Sequence, residues 1–249
     1  MEKILGVIPA RFHSSRLEGK MLLPIAGIPM IQRVYQQAVQ SRYLDQVLVA
    51  TDDLRIKTFV ESMGGNVVMT SSHHACGTDR VAEAVQHSEA DMVINIQGDQ
   101  PFVDPLMIDE LVETMLQQPL VNMVTMIKKM RKENYRSPSV VKVVFDVNHR
   151  ALFFSRALIP YPLHKRDLIV FEHIGLYAYR RPFLQTITRL PMSDLEKAES
   201  LEQLRVLENG FEIMVVETKC MNPDFCGFGV DTQAELEEAE RLLKKMQIS

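Results

Sequence analysis

The chain has 249 residues, 46% of them hydrophobic and 24% charged, with a formal net charge of −4. A chain of this size buries about 70–75% of its unfolded surface, so it needs no disulfide or metal staple to fold. The acidic balance excludes the broad basic footprint of a nucleic-acid binder, and no apolar run reaches the ~20 residues that span a bilayer.

Ile4–Pro9 is a short apolar run that reads as a buried strand. It opens into a loop carrying Arg11, Arg16 and Lys20 with two serines and a glycine, a composition suited to an anion because cations and backbone N–H groups can converge there. Gly19-Lys20 is followed by Met21, so the loop is not a Walker A loop, and it also lacks G-x-G-x-x-G. Taken alone it reads sooner as a solvated loop with ordinary surface charges. Pro29–Ser41 places Ile31, Val34, Tyr35 and Ala38 on one helical face. Gln46–Thr51 is a second strand, after which Asp52-Asp53 cap a helix over Leu54–Met63 that stops at Gly64-Gly65. Asn66–Thr70 is a third strand, followed by the polar loop 71–80 and a helix over Val81–Glu89. Met92–Gln97 is a fourth strand, broken at Gly98-Asp99, and Asp104-Pro105 start a helix to about Gln117. This alternation predicts a mostly parallel, doubly wound α/β sheet.

The pattern changes after about residue 120. Asn122–Met130, Val140–Asp146 and Ala151–Ser155 are strand-like, with a hairpin connection over Asp146–Arg150. His173–Arg180 is a further strand. Helices follow at Pro182–Thr188 and Asp194–Asn209, then a strand at Phe211–Glu217 and a charged helix at Ala234–Met246. One α/β domain is expected, with 1–120 as its main sheet, 121–215 as a smaller mixed subdomain and 216–249 as a C-terminal segment. Cys76, Cys220 and Cys226 lack C-x-x-C spacing, which argues against a disulfide framework or zinc site and fits a reducing compartment. With no secretory h-region at the start, a cytoplasmic protein without nucleic-acid or membrane partners is expected.

Strand ends are where open α/β sheets bind ligands. Asp99, in a Gly-Asp turn after a buried strand, is placed to bind a hard divalent ion, although Gly-Asp alone is only a turn dipeptide. Asp231, in Gly-Val-Asp-Thr ahead of a helix, is a candidate partner carboxylate or a simple cap. Gly77-Thr78 and Arg80 can present N–H groups and a guanidinium to a phosphate. His73 and His74 are adjacent, diverge, and are poor chelators. His173 and Tyr177 lie four apart on a strand and so share a face.

The segments IPARFHSSRLEGK, ATDD, CGTDR, NIQGDQP, VVKVVFD, FFSRALIPY, HIGLYAYR, SLEQLRVLENG and GVDTQAELE occur in that order over about residues 4–245. Together they resemble the 3-deoxy-manno-octulosonate cytidylyltransferases. The resemblance implies a nucleotide-diphospho-sugar transferase fold. It implies transfer of CMP from CTP to 3-deoxy-manno-octulosonate (Kdo), with release of pyrophosphate, in a Mg²⁺-dependent homodimer serving lipopolysaccharide assembly. It implies that Arg11 and Lys20 hold the triphosphate and that Ala10, Gly77, Thr78, Arg80 and Gln97 contact the nucleotide. It implies Asp99 and Asp231 as metal ligands, with Arg11, Lys20 and Asp99 as the catalytic set. Arg16, Gln97, Arg156, His173, Tyr177, Glu202 and Gln203 would meet the sugar acid, Arg16 near its carboxylate.

The chain departs from the family in three places. Glu18 stands where proline is usual, and an acid beside a triphosphate is unfavourable unless it points away. The segment between Pro160 and His173 is short. CMNPDFCGFG sets two cysteines near Asp231, and both thiols are expected to be bystanders. A cytidylyltransferase for another acid sugar, and a non-catalytic nucleotide- or sugar-phosphate-binding protein, are the alternatives. Retention of both Asp99 and Asp231 speaks against the second.

Overall fold

The computed structural model describes residues 2–74, 76–164, 168–220, 222 and 225–248. Two compact units account for the chain, Met1–Ile108 with Cys220–Ser249, and Asp109–Lys219.

In the first unit β1 (Ile4–Ala10) is buried along its whole length, which is why it reads as a continuous apolar run. The chain then makes a small hairpin, β2 (Pro24–Ile25) and β3 (Ile28–Pro29), before α1 (Met30–Ala38). β4 (Gln46–Thr51), α2 (Leu54–Ser62), β5 (Asn66–Met69), α3 (Gly77–Ala84) and β6 (Met92–Asn95) follow. The unit closes with the C-terminal helix Gln233–Ile248. Within this unit β6 and β4 flank β1, β5 lies outside β4, and every pairing is parallel. This is the α/β class that the alternating pattern predicts.

Register sets what meets at the sheet edge. Ala10 pairs with Thr51 and Thr51 with Met69, so the chain leaves β1, β4 and β5 side by side. The loops after them therefore converge on one edge. The predicted face of α1 is buried at Ile31, Val34 and Ala38, while Tyr35 reaches out to accept the Asn66 N–H at 3.2 Å. The helix expected over Val81–Glu89 instead begins a full turn earlier, at Gly77, and ends at Ala84. Glycine permits this, since a Cβ at position 77 would stand only 3.3 Å from the Pro9 ring. Thr78 and Arg80 are thereby drawn inside the unit.

α4 (Pro105–Gln117) carries the chain onward. In the second unit β7 (Met123–Lys129), β8 (Lys142–Phe145), β9 (Ala151–Ser155), β10 (Phe171–Arg180) and β11 (Met214–Glu217) form a mixed sheet. β7 pairs parallel with β11 and antiparallel with β10, and β8 joins β10 to β9. The expected hairpin at Asp146–Arg150 is present, its carboxylate accepting the Asn148 and Arg150 N–H groups at 2.8 Å. α5 (Arg181–Ile187) follows β10. The single helix expected over Asp194–Asn209 is two, α6 (Asp194–Glu199) and α7 (Gln203–Glu208), because Ser200 turns left-handed at φ 53°. The elbow is held by the Arg205 guanidinium, which donates to both Glu196 oxygens at 2.6 and 2.8 Å.

Ala26 and Gly27 link β2 to β3 with φ of 47° and 79°, the two positive values of a type I′ turn. Asparagine tolerates this conformation better than alanine. Ala26→Asn is expected to stabilise the protein by about 0.5–1 kcal/mol, read as a higher denaturant midpoint at unchanged m-value.

Candidate active site

The loop after β1 is shaped from within. Gly19 is left-handed at φ 67° and its N–H donates to the Phe12 carbonyl at 2.9 Å. A Cβ at position 19 would approach the Phe12 ring to 3.0 Å. The Arg55 guanidinium stacks over that ring, 3.3 Å from its centre, and is itself gripped by Asp53 at 2.6 and 2.9 Å. Glu18 points outward, exposed, and meets His13 at 3.3 Å. This removes the conflict between its charge and an anion held by the loop.

The turn formed by the loop delivers Lys20, whose side chain is only 5% exposed. Its ammonium donates to Asp99 Oδ2 and Asp231 Oδ1, each at 2.7 Å, and to the Val230 carbonyl at 3.2 Å. Arg16 donates to the other Asp231 oxygen at 2.7 Å. Burial alone would raise the Asp231 carboxyl, but the Lys20 hydrogen bond and charge, reinforced by Arg16, hold it below the usual carboxylate value.

A neighbouring cap explains how the Asp231 carboxylate becomes free. Ahead of the C-terminal helix, Glu235 Oε2 accepts the Thr232 N–H at 2.9 Å, and the Thr232 hydroxyl accepts the Glu235 N–H at 3.3 Å. Thr232 thus takes the cap, and the Asp231 side chain is released to Lys20. The same division occurs at Asp52-Asp53. Asp53 caps α2 by accepting the Arg55 N–H at 2.8 Å, and Asp52 accepts from Arg80 at 2.8 Å.

Arg80 is 4% exposed, and its second terminal nitrogen donates to the Thr70 hydroxyl at 2.6 Å. Both ends of its fork are therefore engaged by the ends of β4 and β5. Gln97 donates to Asn95 Oδ1 at 3.3 Å, and Asn95 donates to the Thr78 hydroxyl at 3.2 Å. That relay leaves Gln97 Oε1 as an acceptor beside Gly77. Gly98 has no room for a side chain, because a Cβ would lie 2.7 Å from the Pro9 carbonyl oxygen.

These groups line one cavity of about 330 Å³ in the first unit: Ala10, Arg11, Arg16, Lys20, Gly77, Arg80, Gln97, Asp99 and Asp231, with His74 and Cys76. Among the described residues Arg11 is an exposed cation of this cavity with no carboxylate partner, while Lys20, Arg16 and Arg80 are paired. Motif reading weighed His74 only as a metal ligand and missed its pairing with Glu83. His74 Nε2 meets Glu83 Oε2, which also accepts the Ser71 N–H at 2.8 Å. Burial works to raise the Glu83 carboxyl, and the bonds from His74 and Ser71 hold it low. No periodic spacing marks this pair in the sequence.

The second unit gathers the remaining predicted residues. His173 Nε2 and the Thr125 hydroxyl are 2.9 Å apart, and Thr125 also meets the Leu176 carbonyl at 2.9 Å. A carbonyl only accepts, so the hydroxyl proton goes to Leu176 and the imidazole donates from Nε2, leaving Nδ1 as an acceptor. Burial drives the His173 pKa down to about 3, so the ring is neutral. β10 bulges between Ile174 and Tyr177, yet His173 and Tyr177 keep one face, opposite Ile127 and Thr125, with ring centres 5.4 Å apart. Tyr177 donates to Gln203 Oε1 at 3.4 Å, and Gln203 Nε2 is buried with no hydrogen-bond partner. Arg156 is bound to the Glu199 and Pro138 carbonyls at 2.7 and 2.9 Å. Glu202 is half-buried at the start of α7. Of the short segment between Pro160 and His173, residues 165–167 lie outside the described residues, as do 221, 223 and 224 of the cysteine-bearing stretch.

Fold and cavity together have the form of a sugar-nucleotide-forming transferase, and residues 5–214 match the family described as cytidylyltransferase. A relative from Syntrophotalea carbinolica, named 3-deoxy-manno-octulosonate cytidylyltransferase, is 46% identical, the match covering 97% of this chain and 98% of that one. One of the same name from Trichlorobacter lovleyi is 42% identical over 98% of this chain and 99% of its own. The solved structure of a CMP:2-keto-3-deoxy-manno-octonic acid synthetase complexed with CTP superposes with a TM-score of 0.92 at 42% identity, covering 98% of this chain and 100% of that one. The chain belongs to the 3-deoxy-manno-octulosonate cytidylyltransferase family.

Two substitutions probe the geometry. Lys20→Met leaves Asp99 and Asp231 facing each other and should cost about 3 kcal/mol. The Asp231 carboxyl should then titrate at higher pH, followed by carbon-detected NMR. Because its folded value is depressed, its stabilising contribution is present at neutral pH and is lost as pH falls through that value. In the variant this acid-linked loss should shrink, because the folded value rises toward the unfolded one, and an unchanged titration would contradict the triad. Gly98→Ala, by pressing on Pro9 O, should destabilise by about 1–3 kcal/mol in thermal unfolding.

Proposed function

We propose that the protein transfers CMP from CTP to Kdo, giving CMP-Kdo and pyrophosphate. The observation that carries this reading is the convergence of Lys20, Asp99 and Asp231 at one sheet edge, beside the unpaired Arg11, in a member of this family. We propose further that the first unit binds the nucleotide and any metal, and that residues of the second unit take the sugar acid.

The chemistry asks for position and charge more than covalent work. The anomeric oxygen of Kdo attacks the α-phosphorus, and the bond to the β,γ-pyrophosphate breaks in line. Arg11 and Lys20 offset the charge that develops on the leaving pyrophosphate. Ala10 and Gly77-Thr78, at the end of β1 and the start of α3, supply backbone donors to the nucleotide. Arg80, already neutralised by Asp52, positions the loop before α3 and offers its remaining N–H directions. Gln97 Oε1 serves as an acceptor.

The donor set fits Mg²⁺. Two carboxylates that place oxygens 2.7 Å from one ammonium already draw a cation between them, and oxygen donors of this kind suit a hard divalent ion. Asp99 and Asp231 would hold it, and when bound it supplies charge neutralisation and acidifies the attacking hydroxyl.

On the sugar side, Arg16 is the cation for the carboxylate. The neutral His173, Tyr177, Gln203 with its unpartnered Nε2, Glu202 and Arg156 provide donors and acceptors for hydroxyls. A homodimer is supported by apolar side chains exposed in the second unit, Val147, Leu152, Tyr161, Leu163 and Ile169. A cytoplasmic enzyme serving lipopolysaccharide assembly follows from the substrate. No helix of the described residues is long and apolar enough to cross a membrane.

With CTP, Kdo and Mg²⁺ together, pyrophosphate should be released; release with sialic acid and none with Kdo would refute the substrate assignment. Arg11→Ala should lower kcat/KM on the order of 10²–10³-fold. Asp99→Asn should stay folded by circular dichroism and lose metal-dependent turnover; normal turnover would remove Asp99 from the metal site. Sedimentation at micromolar concentration should give a dimer, and Leu152→Glu with Leu163→Glu should shift it toward monomer.

A further inference from the structure

Cys220 and Cys226, six positions apart, both belong to the first unit. The Asn222 carbonyl accepts the Cys220 thiol at 3.6 Å and the Cys226 backbone N–H at 3.1 Å. One carbonyl therefore gathers both residues. Their accessibility differs. Cys220 lines a cavity of about 350 Å³ with Phe102, Asp104, Asn222 and Phe225, whereas Cys226 is 3% exposed. Cys76 lines the cavity that holds Lys20, Asp99 and Asp231. From Cys226 the chain passes left-handed Gly227 at φ 76° to Val230, whose N–H donates to the Asp99 carbonyl at 2.9 Å, and then to Asp231.

We propose that Cys220 and Cys226 form a reversible intramolecular disulfide when a small disulfide such as oxidised glutathione enters the cavity beside Cys220. The Cys220 thiolate attacks one sulfur of the small disulfide, making a mixed disulfide and expelling one small thiolate. The Cys226 thiolate then attacks Cys220 Sγ, forming the internal bond and expelling the second. The protons of the two cysteine thiols end on the two small thiols. Each cysteine is oxidised by one electron and the small disulfide is reduced by two. The order follows from exposure, since only Cys220 faces the cavity. Burial pushes the Cys220 thiol above its ordinary pKa, with Asn222 and Cys226 pulling the other way, so exchange is slow at neutral pH. The bond would tether the stretch that delivers Asp231, and the thiols would not be the bystanders expected from the sequence.

The full chain is incubated with oxidised glutathione, blocked with N-ethylmaleimide and digested with trypsin. Cleavage after Lys219 and Arg241 leaves both cysteines in one peptide, 220–241. The expected result is that peptide lighter by two hydrogens and carrying no maleimide, with one maleimide on Cys76, and dithiothreitol restoring two maleimides. A 220–241 peptide with two maleimides, or one stalled with glutathione and maleimide together, overturns the proposal. Cys226→Ser, folded by circular dichroism, should retain glutathione on Cys220, and Cys220→Ser should take up none on Cys226. Failure of Cys226→Ser to trap glutathione also overturns it.

Discussion

The buried ammonium of Lys20 is the constraint on which the first unit depends. A lysine that loses its water costs several kcal/mol unless each of its three donors is met. Here they meet Asp99, Asp231 and the Val230 carbonyl at 2.7, 2.7 and 3.2 Å. Those oxygens come from the turn after β6 and the segment before the C-terminal helix, far from residue 20 in sequence. The Val230 N–H to Asp99 carbonyl bond at 2.9 Å fixes the same two segments through the backbone. Without the cation, two carboxylates at this spacing would repel, and the loop, the turn and the C-terminal segment would lose their common point.

The sheet edge supplies the frame for that point, and it does so by register. Parallel pairing of Ala10 with Thr51 and of Thr51 with Met69 brings the chain out of three strands together. Arg80 then joins two of these ends, through Asp52 and Thr70. Its charge is spent on holding the edge, as Lys20's is spent on the carboxylates. What the cavity presents to a polyanion beyond this balanced set is Arg11 and the backbone N–H groups at the start of α3.

Much of this was legible because buried parallel strands must be continuous apolar runs, and such runs located β1, β4 and β6. The carboxylates at 99 and 231 were legible as strand-end and pre-helix residues, though each alone reads as a turn or cap. The freedom of Asp231 from capping rests on Thr232, which takes the cap as Asp53 does beside Asp52, and this appears only when the helix starts are known. The first turn of α3 was hidden by its polar Gly-Thr-Asp-Arg composition, which reads as loop until Pro9 is seen beside Gly77. The break at Ser200 carries no glycine or proline, and the β2–β3 turn uses alanine where asparagine is the usual signal. His74 with Glu83 joins a loop to a helix at a spacing that no periodicity marks.

The second unit differs from the first in electrostatic kind, and that difference bears on what it can bind. Its polar cluster is built from neutral groups: an imidazole whose pKa falls to about 3, a phenol, a hydroxyl and an amide. Arg156 and Lys142 lie near it, but their nitrogens are held by backbone carbonyls, three of them around Lys142 at 2.5–2.9 Å. Cations anchored in this way stiffen the sheet and offer little to a phosphate. A buried amide nitrogen without a partner at Gln203 is costly unless a ligand oxygen completes it. Neutral donors and acceptors of fixed orientation suit hydroxyl groups, and an analogue lacking one would leave a buried polar atom unpaired. In the proposed reading, discrimination among sugar acids would fall to such neutral groups, and handling of charge to the cations of the first unit.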